Sequence, residues 1–141
     1  MVAARPKSLD LKSIWLFSNC NVSELKKIRT LFDEVETVQW HVLVEEGEPG
    51  TEFFFIVRGR AVVSRKGRIV ATLEPDDYFG ELSLLDRKPR SATVVCETDM
   101  DLLVLSQRNF DRLLRTAPTI VNKLLRAMGT RLRESDTLAY P

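Results

Sequence analysis

Short β-rich runs separated by turn signals fill the middle of this 141-residue chain. They lie at about residues 35–44, 53–57, 61–63, 69–71, 93–96 and 102–105, with Gly and Pro between them. Lys66 and Gly67 fit a two-residue hairpin connection, and residues 35–44 are taken as continuously extended. Several short strands at such close spacing favour an antiparallel barrel or jelly roll.

Helical periodicity flanks the β-rich region on both sides. Asn21 and Glu24 form a capping-box pattern, Ser106 is a candidate N-cap, and Pro118 suits the first position of a last helix. The predicted fold class is therefore α+β and mainly β: an antiparallel β-roll or jelly roll flanked by N-terminal helices and two C-terminal helices. We expect a single domain over residues 1–141. Its N-terminal helices should lie at about 9–33, its β-roll at about 34–106 and its C-terminal helices at about 107–134.

Charge and cysteine content exclude several broad classes of protein. The formal net charge is +1, so the whole chain has no general attraction to nucleic acid or to anionic membranes. No apolar run approaches the length of a membrane span. Cys20 and Cys96 lie far apart without metal-ligand spacing, so we expect two reduced thiols in a cytoplasmic protein.

The single histidine, His41, restricts the chemistry that this chain can perform. A metalloenzyme on a β-roll normally needs several His ligands, and a nucleophile–His site would have to be built on His41 alone. His41 lies in an apolar-rich segment without a nucleophile motif nearby, which indicates a strand residue. We therefore expect no enzyme activity, no catalytic residue, no metal and no cofactor.

Residues 79–93 carry the sequence FGELSLLDRKPRSAT, which suits the binding of a small anion that bears a sugar. A short helix opening at Gly80 would present free backbone N–H groups, and Arg90 would add a charged fork for phosphate oxygens. Glu81 suits a hydrogen bond from a ribose hydroxyl. The alternative is an exposed turn with an ordinary Glu–Arg surface pair, which would contribute little energy.

This segment resembles the phosphate-binding cassette of cyclic nucleotide-binding domains, which occur in cyclic-AMP-dependent kinases, cyclic-nucleotide-gated channels and catabolite-activator transcription factors. Residues 46–59, with the sequence EGEPGTEFFFIVRG, are similar to a glycine-marked run of the same domains. One departure is Asp76, where members often have Gly, although Asp tolerates left-handed turns.

The resemblance implies a role for each residue of the cassette. Glu81 would hold the ribose 2′-hydroxyl and Arg90 the cyclic phosphate. The backbone of Gly80, Leu82 and Ser83 would contact the ligand, and Ser91 and Ala92 would close the site. Val63 and Val70 would contact the base and sugar, or else they are ordinary core residues. The ligand would be cyclic AMP in preference to cyclic GMP.

The resemblance also implies a regulatory output. Ligand binding would reposition the C-terminal helices, which would then control an effector domain or protein. Two alternatives stay open: a ligand-free protein-interaction domain with the same fold, and the sensor fragment of a DNA-binding transcriptional regulator. The basic residues of the C-terminal helices are not interleaved with aromatic side chains, so we do not expect this chain alone to bind nucleic acid.

Overall fold

The computed structural model describes residues 10–134 and contains two four-stranded antiparallel sheets. The first has the strand order β1-β8-β3-β6 and the second β2-β7-β4-β5. The predicted antiparallel β-roll is confirmed. Residue 9, where the N-terminal helices were expected to start, and both ends of the expected 1–141 domain lie outside the described residues. The strands are β1 Asp33–Thr37, β2 Val42–Val44, β3 Glu52–Arg58, β4 Ala61–Arg65, β5 Arg68–Leu73, β6 Tyr78–Phe79, β7 Thr93–Cys96 and β8 Met100–Ser106.

The helices flank the sheets as the sequence predicts. Two 3-10 turns, Leu11–Ser13 and Trp15–Phe17, come before the first α-helix. The capping box is present, since Asn21 Oδ1 accepts from the Glu24 N–H and Glu24 Oε1 accepts from the Asn21 N–H. Ser106 caps the third helix through the Asn109 N–H. The helices are α1 Val22–Arg29, α2 Glu81–Asp86, α3 Gln107–Thr116 and α4 Pro118–Glu134.

Strand β3 separates two hydrophobic clusters because its successive side chains point to opposite faces. Phe53 packs on Phe110 in the cluster that joins the helices to the first sheet. Phe54 stacks on Phe79 at 4.7 Å between ring centroids, in the cluster enclosed by the two sheets. Since Phe79 immediately precedes Gly80, this stacking fixes the start of the cassette against β3.

The expectation of one continuous extended segment at residues 35–44 is wrong. The chain turns between β1 and β2, which belong to different sheets, and Trp40 has a φ of +70°. The Trp40 N–H donates to the Cys96 carbonyl, which stabilises this corner. The turn has no Gly or Pro to mark it, so its sequence looks like uninterrupted strand.

Candidate ligand-binding site

Gly80 joins β6 to α2 in a conformation that only glycine adopts at low cost. Its φ is +95°, and a Cβ added there would lie 2.6 Å from the Glu52 carbonyl oxygen and 2.9 Å from Arg90 Nη1. Because Gly80 has no side chain, its backbone can lie close to both β3 and the Arg90 guanidinium. Asp76, which stands where family members often have Gly, takes a left-handed φ of +77°, as its tolerance of such turns predicts.

Arg90 is a buried cation held by backbone carbonyls. Its side chain donates to the Gly80 carbonyl from Nη1 at 3.0 Å and to the Glu52 carbonyl from Nη2 at 2.6 Å. The residue is only 4% exposed, and this burial lowers its pKa. The negative charges of Glu52 and Glu81 act in the opposite direction, but burial has the larger effect. A guanidinium has five N–H donors, so three remain without a hydrogen bond within residues 10–134. Among those residues Arg90 makes no ion pair with a carboxylate.

Glu81 is the buried acid beside it. It is 2% exposed, and burial raises its pKa to about 7 even though Arg131 and Arg90 act in the opposite direction. Oε1 lies 3.3 Å from Arg131 Nη1, whereas Oε2 is buried and finds no hydrogen-bond partner in the described part of the chain. This oxygen can accept a hydrogen bond from a ligand hydroxyl.

Arg131 brings the last helix to the cassette. Its Nη2 donates to the Tyr78 carbonyl at 2.5 Å, and its guanidinium lies 4.1 Å from the centroid of the Tyr78 ring. Burial raises the pKa of Tyr78 to about 12. Arg131 is not among the predicted site residues, and no local signal in the sequence distinguishes it from the other basic residues of α4.

The other predicted cassette residues lie on α2 and directly after Arg90 in the chain. Leu82 is half-buried and Ser83 buried on α2. The Ser91 carbonyl accepts from Arg65 Nε at 3.1 Å, its hydroxyl is buried without a partner among the described residues, and Ala92 is fully buried.

Gly50 was not predicted as a site residue, yet it lies against the cassette. A Cβ at Gly50 would lie 2.3 Å from Ser83 Cβ and 2.8 Å from Arg90 Nε. Its place in the glycine-marked run at residues 46–59 was the signal that could have identified it.

The two valines differ in their surroundings. Val63 on β4 is 0% exposed in the cluster between the sheets, which favours its reading as a core residue. Val70 on β5 is half-buried and packs against the edge of the same cluster, so it is the better candidate for contact with a ligand.

The C-terminal helices and the cassette share one apolar cluster. Leu84 of α2 is buried in one cluster with Phe110 and Leu113 of α3. Leu85, by contrast, is 50% exposed. Leu125 and Leu132 of α4 are also exposed, at 60% and 66%.

Residues 10–134 lack two further kinds of feature. None of the helices there is long and apolar enough to cross a bilayer. Those residues also contain no group of three or more His, Cys, Asp or Glu side chains placed to hold a metal ion.

Comparisons with known proteins agree with this architecture. The cAMP-dependent protein kinase regulatory subunit of Aspergillus niger is 33% identical over 115 residues, which cover 80% of this chain and 28% of that protein. The chain thus spans under a third of that relative. The Thermus thermophilus catabolite activator protein superposes with a TM-score of 0.76 at 30% identity, covering 86% of this chain and 59% of that one. A cAMP-binding acyltransferase from Mycobacterium smegmatis superposes with a TM-score of 0.77 at 29% identity, covering 89% and 40%.

The profile of the cyclic nucleotide-binding domain matches residues 37–117, from the end of β1 to the residue that follows α3. That span contains Gly80, Glu81 and Arg90, together with strands β6 and β7 on either side of them. The chain belongs to the cyclic nucleotide-binding domain family.

Proposed function

We propose that this chain is a cyclic-nucleotide-binding regulatory module and that cyclic AMP is its preferred ligand. One observation carries the proposal: the buried Arg90 guanidinium has spare N–H donors and no carboxylate ion-pair partner within residues 10–134, beside a buried Glu81 with one unpartnered oxygen. A buried guanidinium with spare donors and without a carboxylate in ion-pair contact is costly, so this arrangement favours an anionic ligand.

The two groups match the two ends of a ribose cyclic phosphate. The remaining N–H groups of Arg90 are donors for the phosphate oxygens, in charge-assisted hydrogen bonds. Glu81 Oε2 is an acceptor for the 2′-hydroxyl. The buried Ser91 hydroxyl is a further polar group for the phosphate or the base, and half-buried Val70 offers an apolar contact.

The preference for cyclic AMP rests on the relatives. The names of the Aspergillus niger protein and of the Mycobacterium smegmatis acyltransferase both refer to cAMP. Ser91 is compatible with either purine, so the proposed preference is quantitative rather than absolute.

The proposed output is a movement of α3 and α4 that an effector domain or protein reads. Arg131 supports this proposal, because it ties α4 to the same carboxylate that would hold the ribose. A ligand that changes the hydrogen bonding of Glu81 would therefore change the energy of this contact, and a two-state helix position would follow ligand occupancy.

Calorimetric titration of the chain with cyclic AMP and cyclic GMP in parallel tests the proposal. We expect saturable binding of both, with cyclic AMP the tighter ligand. An absence of binding to either nucleotide would overturn the proposal and favour the ligand-free interaction domain.

A further inference from the structure

A basic groove lies on the side of the molecule formed by α1 and α3. It has a volume of about 460 Å³ and is lined by Lys26, Lys27, Thr30, Leu31, Arg112, Arg115 and Thr116. We call this set the α1–α3 groove. None of its lining residues belongs to the cassette. Asn109 Nδ2 donates to the Leu31 carbonyl at 3.0 Å, which holds the two walls together.

The groove concentrates positive charge without compensation. It has four cationic side chains and no carboxylate in its lining, whereas the whole chain has a net charge of only +1. All four cations are exposed, and none makes an ion pair within residues 10–134.

The acids of the two helices are engaged elsewhere. Glu24, the only acid of α1, accepts from the Asn21 N–H at 2.9 Å, and Asp111, the only acid of α3, accepts from Gln107 Nε2 at 3.2 Å. Helix dipoles favour cations near the C-termini of α1 and α3. They do not account for the way in which each helix places two of its three cations along the same groove.

We infer that the α1–α3 groove binds an acidic peptide segment of a protein partner, in which carboxylates flank an apolar side chain. The four cations suit the carboxylates, and half-buried Leu31 with the two threonines gives the uncharged part of the lining. The lining has no aromatic side chain on which a base would stack, which disfavours single-stranded nucleic acid.

The test is fluorescence anisotropy of a fluorescein-labelled peptide with two leucines between runs of glutamate, in low salt. Arg112→Glu should weaken binding at least about tenfold. Arg68→Glu makes the same change of charge on exposed β5 and should weaken it less than about twofold. Lys27→Ala truncates an exposed side chain and should weaken binding about threefold, which keeps the test valid if the charge reversal impairs folding.

Retained cyclic AMP binding in both groove variants would show that the cassette is intact, so a failure here is separate from a failure of the proposed function. Equal weakening by Arg112→Glu and Arg68→Glu, or no binding of the peptide, would overturn the inference. Tighter Arg112-dependent binding of phosphatidylserine vesicles or of duplex DNA than of the peptide would overturn it as well.

Discussion

Arg131 Nη1 lies 3.3 Å from Glu81 Oε1, so a residue near the end of the last helix pairs with the buried acid of the cassette. The Glu81 side chain is 3% exposed and that of Arg131 is 18% exposed. The pair is therefore largely shielded from solvent. In such an environment, loss of one partner leaves the charge of the other uncompensated.

Arg131→Ala should loosen α4. Charge-assisted hydrogen bonds contribute about 1.5–3 kcal/mol, so local opening of the helix should become at least about tenfold more frequent. Hydrogen exchange measured by mass spectrometry on peptides from α4 would report this. Arg126→Ala, which truncates an exposed Arg of the same helix, is the control. Equal exchange in the two variants would contradict a role for the Glu81–Arg131 contact.

Glu81→Gln should change how stability depends on pH. The folded-state pKa of Glu81 is raised from 4.5 to about 7, so between these values the folded protein holds a proton that the unfolded chain has released. The free energy of unfolding of the parent therefore falls, relative to the variant, as pH rises from about 4.5 to about 7.

Urea denaturation at a series of pH values would measure that difference. Glu48→Gln removes an exposed carboxylate from the turn before β3 and controls for the loss of a negative charge. A constant difference between parent and Glu81→Gln across this pH window would show that burial of Glu81 does not perturb its titration.

Gly80→Ala should be more destabilising than Gly67→Ala. Both residues have a positive φ, at +95° and +78°, but a Cβ at Gly67 meets no heavy atom within 4 Å, whereas one at Gly80 meets Glu52 and Arg90. The backbone strain is common to both and costs about 1–2 kcal/mol. The overpacking at Gly80 should add about 1–3 kcal/mol, measured as the free energy of unfolding in urea. Similar losses for the two variants would mean that the cassette can move away from β3 without cost.

Gly129→Ala should stiffen the last helix. Gly129 lies inside α4, and a Cβ there would meet nothing within 4 Å. Replacing an exposed helix Gly with Ala stabilises a helix by up to about 1 kcal/mol. Slower hydrogen exchange in α4 is the expected result, and unchanged or faster exchange would mean that Gly129 does not limit the stability of this helix.

The features that the sequence predicts well are those that a few neighbouring residues determine. The capping box at Asn21 and Glu24, the left-handed Asp76 and the strand–Gly–helix order of the cassette are all local, and the structure contains each of them. The turn at Trp40 was missed because it depends on which sheet each flanking strand joins. Arg131 was missed because 50 residues separate it from Glu81, and only the packing of α4 brings the two together.

The dissociation constant for cyclic AMP, measured by calorimetry for the parent, Arg90→Ala and Lys88→Ala, tests the assignment of Arg90 to the ligand phosphate. Lys88 is an exposed cation two residues from Arg90 and controls for the loss of positive charge. Arg90→Ala should weaken binding by about 2–4 kcal/mol, or about 30- to 700-fold, while Lys88→Ala stays close to the parent. Binding of cyclic AMP by Arg90→Ala as tight as that of the parent would contradict the assignment of the site.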